Sequence, residues 1–455
     1  MNKRHPASFR DPAGFIFTVA GVLYRYVSPA AQPHVELLQS SGLYEKLTGE
    51  RLLVAHETTN VLPNGFKEGI SLRPDPITCI SYPYEWGFSQ LKDAALLTLH
   101  IQRLAVEHGL SLKDASAYNV QLQGGHPLFI DTLSFEPYAE GTPWIAYRQF
   151  CQHFLAPLAL MASRDIRLNQ LLQTNLDGIP LDMASRLLPA RSRLNLGLLT
   201  HVHLHAASST KHADRHETQR GQVSRLGLMA ILDSLESTVR HLRPKRMLTV
   251  WDNYYARTNY SDAAEEGKKK SVAAALDVVK PKTVWDIGAN TGEYSRLASS
   301  RGMFTLALDS DPFAINDAYL RAKHEQDANL FPLIIDITNP SPGIGWENEE
   351  RQPILERQPQ PDLVMALAVI HHLSITNHLP FAQTAALFAK LGPWLLIEFV
   401  PAEDSQTQKV LAGRDELFAH YTQAEFERAY GDYFTIEKQL PVEGSLRRLY
   451  LMKRR

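Results

Sequence analysis

The spacing of apolar positions changes about halfway along the chain, and the change divides it into two halves. In the first half, residues 15–19, 22–27, 52–56 and 77–82 alternate like short strands, with a helical stretch over 33–47 among them. Leu91, Ala95, Leu99 and Leu104 then fall near helical spacing, which predicts an amphipathic helix over 89–108 stopped by Gly109. The runs 120–123 and 127–130 flank Gly124-Gly125 and predict a hairpin. Residues 144–242 read as largely helical, interrupted by a polar stretch over 206–222. After about residue 242, predicted strands at 283–287, 304–308, 333–335, 363–367 and 394–399 alternate with helices. That is the grammar of βαβ units and a mostly parallel sheet. The end departs from it: 433–440 and 448–452, joined by 441–445, predict an antiparallel hairpin. There is no internal repeat.

A length of 455 residues suggests two or three domains, and 44% hydrophobic with 21% charged residues is the balance of a globular protein. A net charge of -2 offers no bulk attraction to nucleic acid or to an anionic membrane. Two distant cysteines, Cys79 and Cys151, exclude a zinc site built on thiolates and a disulfide framework. No run approaches the roughly 20 apolar residues that cross a bilayer, and the N-terminus lacks a secretory pattern, so the expected location is cytoplasmic. His201, His203 and His205, with His212 and His216, raise metal binding. No acid or thiol stands at a ligand-like spacing from them, and a solvated loop is the better reading. His56-Glu57-Thr-Thr-Asn60 lacks the second histidine of a zinc protease.

The candidate cofactor site is Val284-Trp-Asp-Ile-Gly-Ala-Asn-Thr-Gly-Glu. A strand ends at Asp286, a loop carries Gly288 and Gly292, and a helix is predicted to begin near Glu293, its amides favouring an anionic or strongly polar group. The second strand ends in Asp309, about 20 residues beyond Gly288. At that separation a neighbouring parallel strand presents a carboxylate to both hydroxyls of a ribose. Asn290 stands where a dinucleotide fingerprint needs its second glycine, so a pyrophosphate would lack its cradle. Gly267-Lys268-Lys269 lacks the upstream glycine of a phosphate loop and reads as a solvated charged helix face. Asp286 has an alternative role as a turn cap. Asp311 reads as a helix cap rather than as half of a metal pair, and Asp336 lies close to turn chemistry at Asn339-Pro340.

Residues 284–296 resemble the first motif of class I S-adenosylmethionine-dependent methyltransferases, and Thr305-Leu-Ala-Leu-Asp-Ser-Asp-Pro-Phe313 resembles the second. Residues 333–338 and 361–373 resemble the later two, and the terminal antiparallel hairpin is similar to that family's topological mark. The resemblance spans about 200 residues in matching order. It implies an α/β, Rossmann-like, seven-stranded sheet over 241–455 with S-adenosylmethionine as cofactor. Asp286 and Gly288, with Asn290 and Gly292 in the loop, would then shape the methionine end of the pocket. Asp309 would hold the ribose, and Asp336 with Ile337 would border the adenine.

His371 and His372 closely follow the strand at 363–367 and are the candidate acid–base groups, with capping of the next segment as the alternative. Glu398, at the next strand's end, is a candidate contact for acceptor or cofactor. Trp251, Tyr254, Tyr255 and Tyr260 precede the domain, and their rings suit a sulfonium as well as they suit packing. Ala368-Val-Ile-His, in place of an Asn-Pro-Pro-Tyr type of motif, fits a small-molecule acceptor. The wording faintly resembles methyltransferase-like proteins associated with nodulation.

In the first half, Asp114 and Asn119, then the glycine-turned hairpin, then Ile130-Asp131-Thr132, resemble the catalytic segment of kinase-like phosphotransferases. That resemblance implies an α+β kinase-like domain over 1–240, with a small lobe at 9–82, a helical lobe at 89–240 and ATP-magnesium as ligand. The departures are Leu112 for the loop histidine, Thr132-Leu133 for Phe-Gly, no glycine-rich loop at Gly14 and Gly21, and Arg25 as the nearest stand-in for the strand lysine. The alternatives to a methyltransferase are therefore phosphotransfer by this domain, or a non-catalytic protein that binds nucleotide to set its shape.

Overall fold

The computed structural model describes residues 3–207, 222–245, 262–357, 359–411, 418–442 and 444–455. The chain forms two compact units. One comprises 1–246 with 342–353, and the other 247–341 with 354–455.

The first unit opens with β1 (Lys3–Arg4), β2 (Gly14–Val19) and β3 (Val22–Val27). Ala20 and Gly21, at φ 50 and φ 82, supply the two left-handed residues that a tight β2–β3 hairpin turn needs. The predicted helix over 33–47 is two helices, Gln32–Ser40 and Leu43–Gly49, because Gly42 takes φ 76 between them. Instead of strands at 52–56 and 77–82 come β4 (His56–Thr59) and β5 (Ile70–Pro74). Polar and proline-rich segments gave no clean alternation there, so pairing of β5 with β3 and of β4 with β5 decided the register. The sheet order is β1-β2-β3-β5-β4, antiparallel throughout.

The helix predicted over 89–108 is Phe88–Glu107, with Gly109 at φ 77 just past its end. Short strands β6 (Leu110–Leu112), β7 (Val120–Gln123), β8 (His126–Phe129) and β9 (Phe135–Pro137) follow. Gly124 and Gly125 both have positive φ in the β7–β8 turn, as the sequence pattern demands. Beyond it the unit is helical. His201 and His203 lie buried in a π-helical turn, Leu199–Leu204, rather than in a solvated loop. His201 Nδ1 pairs with the Tyr147 hydroxyl at 2.7 Å and Nε2 with Ser234 Oγ at 2.8 Å, while His203 pairs with Ser185 and Ser192. Their ring nitrogens are used in packing the helices, and no metal-holding group of residues occurs among the described residues. His212 and His216 lie outside the described residues.

Segment 342–353 belongs to the first unit although it follows a strand of the second in sequence. Buried Glu350 accepts from Arg10 at 2.8 and 3.0 Å, and the Arg351 guanidinium sits 4.3 Å over the Tyr118 ring. The Tyr82 hydroxyl accepts from the Gln352 amide at 2.9 Å.

In the second unit, helix Asp262–Val279 precedes β10 (Thr283–Ile287), β11 (Phe304–Asp309), β12 (Leu330–Ile334), β13 (Leu363–Ala366), β14 (Trp394–Phe399), β15 (Phe434–Pro441) and β16 (Arg448–Arg454). The order is β12-β11-β10-β13-β14-β16-β15: five parallel strands, with β16 antiparallel to β14 and β15 antiparallel to β16. Every residue of β10 is buried, because helices cover both faces of the sheet. Val284, Met365, Leu396 and Leu451 come from adjacent strands and pack with Val272, Ala275 and Leu276 of the preceding helix. No helix among the described residues is long and apolar enough to cross a membrane.

Candidate functional site

Because β10 and β11 are parallel and in register from Thr283↔Phe304 to Ile287↔Leu308, their carboxyl ends finish side by side. A cavity of about 250 Å³ lies there. Asp286, Gly288, Asn290, Asp309, Asp336, Ile337 and His372 line it.

The loop after β10 is held in a left-handed zigzag by Gly288, Asn290 and Gly292 at φ 73, 50 and 77. Asparagine is among the few side chains that tolerate this region, so Asn290 replaces a glycine at little cost. At Gly288 there is no room as well: an added Cβ would lie 2.5 Å from Val369 Cγ2. Gly292 shapes the turn but does not line the cavity.

The helix predicted near Glu293 begins two residues later. The helix is short, Ser295–Ser299. The loop amides are used internally: Gly288 and Ala289 donate to Leu308 O (2.8 and 3.1 Å), Asn290 to Asp309 Oδ2 (2.7 Å), Thr291 to Asn290 Oδ1 (2.8 Å) and Gly292 to Ala289 O (2.9 Å). A phosphate needs free amides of this kind, and here they are committed.

Asp286 is almost fully buried and accepts from Ser295 Oγ at 2.5 Å. Burial pushes its carboxyl up to about 7, against the Ser295 hydrogen bond and the positive charge of Lys268, while Asp309 adds to the rise. Asp309 is partly exposed to the cavity and accepts from the Asp311 and Asn290 amides. Removal from water pushes it up to about 6, and those amides oppose the rise. Asp311 caps helix Pro312–Glu325, accepting from the Phe313 and Ala314 amides, which accounts for it without a metal. Asp336 is exposed and accepts from the Thr338 amide and hydroxyl at 2.8 and 2.7 Å, a local turn at the cavity rim. Ile335 and Ile337 flank it on the cavity wall.

The two candidate histidines separate. His372 lines the cavity and starts a π-helical turn, His372–Thr376, after β13. Burial, with help from Arg447, lowers its imidazole to about 4, so it is neutral at pH 7. His371 is buried and does not line the cavity, and its ring packs 4.0 Å from that of His372. Ala368 enters this turn at φ 55, a strained value for a residue with a Cβ, beside the cavity.

Two expectations are corrected. Lys268 is buried and lines the cavity, where a solvated face was expected; Lys269 is half-buried and pairs with Glu265 and Glu293. Glu398 does not line the cavity but is fully buried behind it, 2.7 Å from Lys268 Nζ. The helical period of 262–279 gave the face of each lysine only to within a turn, and the carboxylate that holds Lys268 lies 130 residues away. Trp251, Tyr254, Tyr255 and Tyr260 lie outside the described residues.

In the first unit, Ser134 links the two members of the kinase-like set. Its hydroxyl accepts from Asn119 at 3.3 Å and donates to Asp131. Arg25 of β3 forms an ion pair with Asp131. Asp114 is raised by burial and by the charge of Asp131, and accepts from the Ser116 amide.

The sheet order and the crevice at the strand ends define the second unit as a Rossmann-like α/β unit with a cavity at its strand tips. The whole chain belongs to the family of the nodulation protein NoeA from Rhizobium meliloti (strain 1021), to which it is 34% identical across 99% of its own length and 96% of that protein's. No family model matches the chain. Among solved structures it is similar to the N-methyltransferase NodS from Bradyrhizobium japonicum WM9, at 13% identity over 43% of this chain and 98% of that one, with a TM-score of 0.31. It is also similar to the magnesium protoporphyrin IX methyltransferase ChlM from Synechocystis PCC 6803 with bound SAH, at 18% identity over 45% and 92%, TM-score 0.32. The bifunctional kinase-methyltransferase WbdD matches at 16% identity over 45% and 41%, TM-score 0.30.

Proposed function

We propose that the C-terminal unit binds S-adenosylmethionine and transfers its methyl group to a small-molecule acceptor. One observation carries the reading. Asp286 and Asp309 stand at the tips of adjacent parallel strands and open on one cavity, over a loop whose amides are unavailable to a phosphate. One buried and one half-buried acid with no phosphate cradle suit a cationic nucleoside better than a nucleotide. Gly288, where a Cβ would lie 2.5 Å from Val369 Cγ2, leaves its backbone bare at the cavity wall for a ligand to approach.

Bound there, the cofactor would supply an activated methyl group for in-line displacement. Asp309 would take the ribose hydroxyls with the lone pairs that Asn290 and Asp311 leave free. Asp286 would put negative charge beside the cation. Ile335, Ile337 and Leu373 offer apolar wall, and Asp336 stands at the rim. His372, neutral and on the cavity, would accept the proton of a hydroxyl or amine acceptor. An imidazole lowered to about 4 is a weak base, so holding the acceptor in line contributes more than proton removal. The relative's name places that protein in nodulation, and we extend the process, without a substrate, to this chain.

Calorimetry with S-adenosylmethionine tests the reading. Asp309→Ala is expected to lose about 3 kcal/mol or more of binding, the worth of two hydrogen bonds to a charged group. Binding that survives the substitution would place the ligand elsewhere.

A second reading, phosphotransfer by the first unit, is favoured by the linked Asn119, Ser134 and Asp131 and opposed by Arg25, which already neutralises Asp131. Magnesium-ATP titrated into wild type and Asp131→Ala decides it. Binding lost in the variant supports a nucleotide site, and absence of binding in both removes it.

A further inference from the structure

Behind the cavity, buried charges alternate in sign across the second unit. Lys268, on helix Asp262–Val279, reaches the cavity with its ammonium 4.6 Å over the Tyr294 ring. Glu398 of β14 holds that ammonium at 2.7 Å. Arg447, just before β16, lies 3.9 Å from the other oxygen of Glu398 and grips Asp404 with two hydrogen bonds of 2.8 and 3.1 Å. Lys268, Glu398 and Arg447 are each at most 3% exposed. Taking these charges out of water is costly, and apolar residues of similar volume would fill the same space at no such cost. Of Lys268 and Glu398, only Lys268 lines the cavity, so the pair acts there as a dipole with its positive end forward.

Resting on the cofactor reading above, we propose that Lys268 is a positioning residue of the cleft, fixed by Glu398 so that its positive charge is presented to the cavity that Asp286 also lines. The groups around Asp286 are Lys268 from the preceding helix, Asp309 from β11 and the Ser295 hydroxyl from the next helix. Those around Lys268 are Glu398, Asp286, Arg447 and the Tyr294 ring. His371 also stands within reach of Lys268 and Arg447, but burial above all keeps it neutral, so it adds no compensating charge. Burial and Asp309 both favour the protonated form of Asp286, and Lys268 is the positive charge that opposes them. Without it, no positive charge would oppose that rise, and a cationic ligand would meet a more fully protonated acid.

The test uses the full chain. Lys268→Met combined with Glu398→Gln removes both charges and leaves neither partner stranded. Lys268→Gln is the second variant, because its amide still hydrogen-bonds Glu398. Titration of the Asp286 carboxyl carbon by NMR in ligand-free protein, identified by its loss in Asp286→Asn, should show its midpoint raised by about one unit or more in both variants. Lys268→Arg should stay near wild type. An unchanged midpoint in the charge-removing variants would overturn the proposal. Calorimetry with S-adenosylmethionine across pH 6–9 should show the same alkaline shift, affinity falling as pH drops through the midpoint. An equal loss at every pH would mean a merely structural lysine. If wild type binds at no pH, the cofactor reading fails by itself, and the ligand-free titration still decides the role of Lys268.

Discussion

Arg447→Met is expected to destabilise the C-terminal unit by about 3–5 kcal/mol, more than any surface substitution in the chain. The guanidinium is 3% exposed, makes two hydrogen bonds to Asp404 and lies 3.9 Å from Glu398. Methionine fills most of its volume but leaves one carboxylate with no partner from Arg447 and weakens the field on the other. Asp404 is held below the usual carboxylate range largely by Arg447, against the upward push of burial, so it would rise when the arginine goes. The sign for pH follows. A folded-state value below the unfolded one contributes stability that is present above the unfolded value of 3.8 and lost as pH falls through the folded one. The wild-type advantage over Arg447→Met should therefore be full at pH 7 and shrink below about pH 4. Urea unfolding at both pH values measures it. A combined Arg447→Met and Asp404→Asn variant should recover part of the loss, since the stranded charge goes too. A single-variant loss no larger than that of an exposed arginine would mean the cluster is solvated.

Gly288→Val is expected to abolish binding of S-adenosylmethionine, by about a hundredfold or more, while leaving the fold intact. Two effects add. The left-handed φ of 73 strains any residue with a Cβ by about 1–2 kcal/mol. The new side chain would also start 2.5 Å from Val369 Cγ2, so that one of the two must turn into the cavity that Asp286 and Asp309 share. Unfolding should register only the strain, and calorimetry the loss of the cleft. Wild-type affinity in this variant would show that the ligand does not approach the β10 turn.

The site was legible in sequence where it depends on neighbours along the chain. The strand-to-turn passage from Val284 to Gly292 and the acid at Asp309 are local signals, and parallel pairing of β10 with β11 follows from the βαβ order. The fate of the loop amides was not legible. It depends on Leu308 O and Asp309 Oδ2 arriving from the next strand, and the same glycine spacing fits an open cradle equally well. Nor could periodicity separate His371 from His372, which are adjacent in sequence yet face the core and the cavity respectively. The short strands of the first unit were misplaced for a related reason. β4 has no fully buried residue and β5 buries two adjacent ones, Ser71 and Leu72, so both owe their positions to pairing rather than to alternation.

By itself, then, the sequence determined the order of the seven strands along the chain, the closing hairpin and the two acids at the strand tips. Each is written in periods and turns spanning a few residues. Only the tertiary structure decided that Lys268 is buried, that Glu398 and Arg447 stand behind it, and that Arg25 meets Asp131. Lys268 with Glu398 and Arg25 with Asp131 join positions 130 and 106 residues apart, and Arg447 comes to Glu398 from a separate strand end. A charged residue carries no mark of burial until its partner is brought to it, because the same lysine is stable on a wet surface or beside a buried carboxylate.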